Sequence, residues 1–99
     1  MTTMFVTFSG DAGTRFDRDY YVRTHLPLVM EAWGGYGLES AEAFFPPGDG
    51  ASTIAVCICR FRDEAALRAA LASPQAGPVM DDVARFTNAT PSQSRGAQV

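Results

Sequence analysis

The run Thr53-Ile54-Ala55-Val56-Cys57-Ile58-Cys59-Arg60-Phe61 constrains this chain more than any other segment. Its β-branched and apolar residues read as a strand, expected over Ser52–Phe61. A strand turns alternate side chains to opposite faces. One face here carries Ile54, Val56 and Ile58 and ends on Arg60; the other carries Ala55, Cys57, Cys59 and Phe61. Met4-Phe5-Val6-Thr7-Phe8 reads as a first strand of the same kind, with Met4, Val6 and Phe8 against Phe5. An antiparallel sheet that shows one face to water alternates polar with apolar residues. These two strands do not, so both faces of their sheet need a cover.

The remaining chain supplies a cover for one face. Ser9-Gly10-Asp11 and Gly13 stop the first strand. A helix then opens, capped by Asp17 or by Thr14 through a Thr-x-x-Asp box, and runs to about Trp33 before Gly34-Gly35. Pro27 inside it predicts a kink or local break near Leu26. Tyr36 to Phe45 alternates as a second strand, and Pro46-Pro47-Gly48-Asp49-Gly50 reads as a turn. Asp63 caps a further helix carrying Leu67 and Leu71. Ser73-Pro74 breaks it and starts another, with Pro74 suited to a first helical position and Val79, Val83 and Phe86 at helical spacing. A short last strand is expected near Thr87–Ser92, and a loose tail over Ser94–Val99.

The order β-α-β-β-α-β is the ferredoxin-like plan: an α+β domain, here residues 1–93, with a four-stranded antiparallel sheet and its helices on one face. The uncovered face is most simply closed by the same face of a second copy, so a homodimer is expected.

Charge and composition narrow the function. The formal net charge is −3 and every basic residue is Arg. No basic stripe exists to neutralise phosphates, so nucleic acid is not an expected partner. No apolar stretch reaches the ~18–20 residues of a membrane span, and no signal-like segment opens the sequence, so a cytoplasmic location is expected. Cys57 and Cys59 fall on one strand face at a spacing poorly suited to a disulfide. Two thiols and one histidine do not make a zinc set, so both read as small buried residues and no metal is expected.

The first helix holds the residues with chemical content. At about 100° per residue, Tyr21, His25, Leu28, Val29, Ala32 and Trp33 share one side, opposite Arg23, Thr24, Pro27 and Glu31. His25, the only histidine, therefore sits near the centre of the apolar face, with Tyr21 one turn before it. It is either a satisfied core group or the polar handle of a cavity. In the second case it exchanges a proton near neutral pH.

The run Phe16-Asp17-Arg18-Asp19-Tyr20-Tyr21-Val22-Arg23-Thr24-His25-Leu26-Pro27-Leu28 resembles the first-helix signature of the EthD family: a Phe, an acidic start, paired aromatics, then His-x-Pro-Leu. Asp82-Val83-Ala84-Arg85-Phe86-Thr87 resembles the family's second-helix ending, and the similarity spans roughly residues 4 to 92. Related dimeric α/β-barrel proteins share looser versions of both. The resemblance implies a ferredoxin-like protomer paired through its sheet into a dimeric α/β barrel. It implies chemistry without metal or flavin, as in isomerases, cyclases, dehydratases or decarboxylases of catabolic and polyketide pathways. The family's histidine falls on His25 and its proline on Pro27.

Other residues carry weaker signals. Arg60 can hold an anionic oxygen if the Ile54, Val56 and Ile58 face lines the cavity. Trp33, Phe44, Phe45 and Val29 can line a site for an aromatic ligand, though aromatic side chains more often pack a core. Asp81-Asp82 reads as a solvated acidic pair. No dinucleotide fingerprint or nucleophile elbow is present.

Three functions follow as expectations. The first is a cofactor-independent enzyme moving a proton on an apolar carbonyl or phenolic metabolite, with His25 as acid/base and Tyr21 orienting it or donating to an oxyanion. The second is a non-catalytic binder or accessory protein for a hydrophobic metabolite. The third is a cofactor-free quinol monooxygenase, as in sister families on the same barrel.

Overall fold

A computed structural model describes residues 1–11, 13–46 and 52–96. Its elements are β1 (Thr2–Ser9), α1 (Arg18–Tyr20), a π turn (Tyr21–His25), α2 (Leu26–Gly34), β2 (Leu38–Phe44), β3 (Thr53–Phe61), α3 (Glu64–Leu71), α4 (Ala76–Phe86) and β4 (Pro91–Gly96). The four strands form one antiparallel sheet in the order β2-β3-β1-β4, the ferredoxin-like arrangement expected.

The register sorts the two sheet faces. Met4, Phe8, Ala55, Cys57, Cys59 and Phe61 are buried beneath the helices. Phe5, Ile54, Val56 and Ile58 are only half-buried on the open face, and Phe44 is 50% exposed. There Phe44 pairs with Val56 and Val56 with Thr7, while Glu42 pairs with Ile58 and Ile58 with Phe5. The uncovered face therefore carries the apolar patch that the strand pattern required, Phe5, Phe44, Ile54, Val56 and Ile58, with Thr7, Glu42 and Arg60 beside it.

The starts of α1 and α3 carry the expected caps. Asp17 accepts from the Tyr20 N–H at 3.0 Å and Asp63 from the Ala66 N–H at 2.7 Å. Each satisfies a donor that the first turn leaves free.

Three expectations change, the simplest being that Pro74 does not open α4, which begins at Ala76 after Gln75. The first helix does not break at Leu26. Instead it widens into a π turn over Tyr21–His25, in which the Leu26 N–H reaches back to the Tyr21 carbonyl. Pro27 has no N–H, and in an α-helix its ring crowds the carbonyl four residues earlier, here that of Arg23. The wider turn just before it relieves that crowding while the helix continues. The last strand also lies later than Thr87–Ser92. Ser94 to Gly96, expected in a loose tail, pair with β1 opposite Phe5 and Thr3. Their polar side chains gave no strand signal, because β4 is an edge strand placed by its ladder with β1. Residues 97–99 and the expected turn beyond Pro46 lie outside the described residues.

Among the described residues, no helix is long and apolar enough to cross a membrane.

Candidate active site

Two junctions bring the first helix and α4 together. The Asp17 N–H donates to the Phe86 carbonyl at 2.8 Å, and the Thr87 hydroxyl donates to the Arg15 carbonyl at 2.6 Å. The Arg15 N–H donates to Asn88 Oδ1 at 2.9 Å. The start of one helix is thus tied to the end of the other. Phe86, fully buried, packs between them against Phe8, Phe16, Tyr21 and His25. The pairs with Phe8 and Phe16 are edge-on, and such pairs add about 0.5–1.5 kcal/mol each beyond their buried area.

This clamp sets Asp82 of α4 against His25. The imidazole Nδ1 lies 2.9 Å from Asp82 Oδ2, and the Tyr20 hydroxyl donates to Asp82 Oδ1 at 2.8 Å. His25 and Asp82 are 5% and 8% exposed, so the pair is shielded from water. Removal from water alone would raise the Asp82 carboxyl. The hydrogen bonds from His25 and Tyr20, helped by the charges of His25 and Arg85, more than offset that and hold it below its ordinary 3.8. Burial lowers the His25 pKa below its ordinary 6.5, against the upward pull of Asp82. The bond to Asp82 pushes the Tyr20 hydroxyl up, so Tyr20 keeps its proton.

The protonation state at neutral pH follows. Asp82 is ionised and can only accept. His25 is neutral, with its proton on Nδ1 and directed at the carboxylate. Nε2 then carries a free lone pair. It has no protein partner among the described residues, which is the arrangement of a general base.

The ring of His25 lies in the wall of a partly open cavity of about 40 Å³ between the first helix, α4 and the sheet. One water needs about 10–15 Å³, so this space holds a small group, with any larger body extending through the mouth. Tyr21, Val29 and Trp33 share the helix side of the wall, and Val6, Cys57 and Cys59 the sheet side. The π turn stacks Tyr21 on His25, with ring centres 5.5 Å apart and planes 18° apart. Burial and the neighbouring Cys57 thiol push the Tyr21 hydroxyl far up. The Cys57 bond and burial do the same to Cys59, whose sulfur lies 3.7 Å from that of Cys57. Tyr21 and Cys59 therefore stay uncharged beside His25, while the bond from Cys59 lowers the Cys57 thiol against the effect of its burial. No three His, Cys, Asp or Glu side chains gather as a metal-binding group among the described residues.

A profile of the EthD domain matches residues 12–90. The chain belongs to the EthD family. Its fold matches an EthD-like protein from Ralstonia eutropha at a TM-score of 0.84 and 20% identity, over 96% of this chain and 88% of that one. It also matches SnoaB, a cofactor-independent oxygenase from Streptomyces nogalater, at 0.63 and 14%, over 99% and 94%. A dimeric ferredoxin-like protein of unknown function from Bacteroides fragilis matches at 0.59 and 9%, over 98% and 95%. At these identities the likeness is one of fold. No curated protein matches the sequence significantly.

In this EthD domain, four of the nominated residues meet at one cavity: His25, Tyr21, Val29 and Trp33. Arg60 and Phe44 do not join them. Both belong to the open face, where Arg60 pairs with Glu42 and Phe44 is half exposed. The cavity lies under the Cys57 and Cys59 face, and strand alternation sends Arg60 the other way. Phe45 packs against Phe16 and Tyr21 beneath the Arg18 guanidinium, as part of the core. Asp82 is the largest correction. It is buried and bonded, not solvated. Its sequence signal was its place on the Val79, Val83 and Phe86 stripe, where a solvated acid does not belong.

Proposed function

We propose that this EthD domain catalyses proton transfer on a small apolar carbonyl or phenolic compound, without metal or flavin. Family and fold together support a small-molecule enzymatic or binding role. The observation that favours chemistry is the buried His25–Asp82 pair in the wall of an apolar cavity, with no protein partner on Nε2 among the described residues. In this reading Nε2 removes a proton from a carbon next to a carbonyl. Asp82 holds the tautomer and stabilises the imidazolium as it forms, and Tyr20 holds Asp82. Tyr21 acts as a flat ring against the imidazole, its hydroxyl turned towards Cys57. Isomerisation, aldol-type cyclisation and dehydration use such a step, and decarboxylation uses its reverse, in which the imidazolium returns a proton to the carbon that CO₂ has left. A homodimer closed over the Phe5, Val56 and Ile58 face belongs to the same proposal, supported by that apolar face and by the dimeric neighbour of like fold.

The test is loss of α-hydrogen from a panel of aryl ketones and phenolic keto compounds in D₂O, followed by NMR. His25→Ala should slow exchange by about 10²–10⁴ and keep the folded spectrum. Unchanged exchange in that variant overturns the catalytic assignment. Binding without exchange in the native chain favours a carrier of hydrophobic metabolites instead, and oxygen uptake with a quinol favours the oxygenase reading.

A further inference from the structure

Trp33 carries a polar atom that the fold does not use. It is the only tryptophan in the chain and 3% exposed, and it forms part of the cavity wall. Its Nε1–H is buried and, among the described residues, has no hydrogen-bond partner. A buried donor left unpaired destabilises the fold, a cost that a Phe or Leu at this position would avoid. The other polar side chains deepest in this region are bonded: His25 Nδ1 to Asp82, Asp82 to Tyr20, and Cys57 to Cys59. An indole N–H can only donate, so its missing partner is an acceptor.

We infer that Trp33 is a specificity residue, whose indole N–H takes an acceptor oxygen of the bound ligand. This deepens the proposed function and rests on its placement of the ligand in the His25 cavity. The ligand is then an apolar body bearing a carbonyl, phenoxide or similar oxygen, and a plain hydrocarbon of the same shape is rejected. Discrimination arises because a ligand without the oxygen leaves the indole donor buried and unpaired in the complex. Trp33 follows His25 by two helical turns on the same face, so one ligand touching both lies along the first helix.

Acetophenone and ethylbenzene form a matched pair for the test, alike in shape and differing in the oxygen. Acetophenone should bind the native chain more tightly, on the order of tenfold, the worth of one hydrogen bond. The single indole N–H resonance should move downfield with acetophenone and not with ethylbenzene. Trp33→Phe keeps an aromatic ring and removes the donor, and it should bind the two compounds equally. Equal affinity in the native chain, or a preference that survives in Trp33→Phe, overturns the inference and leaves His25 chemistry standing. If neither compound binds, both the inference and the ligand part of the proposed function fall. The resonance shift is read on the native chain, so an unfolded Trp33→Phe leaves the inference open to refutation.

Discussion

Asp82 holds the His25 proton on Nδ1 and leaves Nε2 as the basic nitrogen, and the whole chemical reading depends on that choice. Asp82→Asn should keep the fold and slow α-hydrogen exchange on the order of 10²-fold, because an amide no longer enforces the Nδ1 proton or stabilises the imidazolium. Both effects of Asp82 on His25 are upward, so the midpoint of the rate–pH profile should also move down in this variant. In the native chain the rate should rise with pH through a midpoint below 6.5, as the base loses its proton. Stability should follow the same group. The folded His25 pKa lies below its unfolded value, so between the two the unfolded chain binds more protons, and stability falls as pH drops below about 6.5. The Asp82 carboxyl is held low in the fold. Its contribution is present above about 3.8 and is lost as pH falls through its folded value. Urea midpoints at pH 7.5 and 5.5 check the first sign: the native chain should lose stability, and His25→Gln should lose much less. His25, Tyr21, Val29 and Trp33 could be placed from helical spacing alone. Asp82 could not, because its partner lies 57 residues away and an acid beside Asp81 looks like surface.

At the scale of elements, the π turn does what propensity does not announce. Sequence spacing marks a proline inside a helix and leaves open whether the helix breaks, kinks or widens. Here it widens, and the rings of Tyr21 and His25 stack within the widened turn. The turn into β2 has a sharper requirement. Gly37 has φ of 103°, and a Cβ there would sit 2.8 Å from that of Ala66 on α3. Gly37→Ala should therefore lower stability by roughly 1–3 kcal/mol, from backbone strain and the clash with α3. Thermal or urea unfolding measures it, and an unchanged midpoint would mean that this turn relaxes freely. The caps at Asp17 and Asp63 were legible because capping is local, a side chain bonding three residues ahead. The strand at Pro91–Gly96 was not, because its polar side chains carry no strand pattern and its pairing partner is at the other end of the chain.

For the molecule as a whole, the proposed dimer makes a direct prediction. The native chain should sediment at twice its own mass at micromolar concentration, and Val56→Arg should weaken association by 10²-fold or more. A guanidinium at Val56 would be buried between Phe44 and Thr7 with no acid in its own row of the sheet. Because Val56 lies on the face away from the helices, the variant should keep its secondary structure. A native chain that stays single in dilute solution would sink the dimer and leave the site geometry of the protomer intact.

Periodicity along the chain settled which side chains share a face. A step of two residues sorted β1 and β3 into two apolar sides, and a step of 3.6 aligned Tyr21, His25, Val29 and Trp33. That information is local and survives any arrangement of the elements. Which of two apolar faces lies under the helices is not local. It depends on how β3 and β1 are capped by the first helix and α4, and it carried Cys57 and Cys59 into the cavity and Arg60 out of it. Packing also brought Asp82 to His25, since only the folded chain makes neighbours of residues from separate helices.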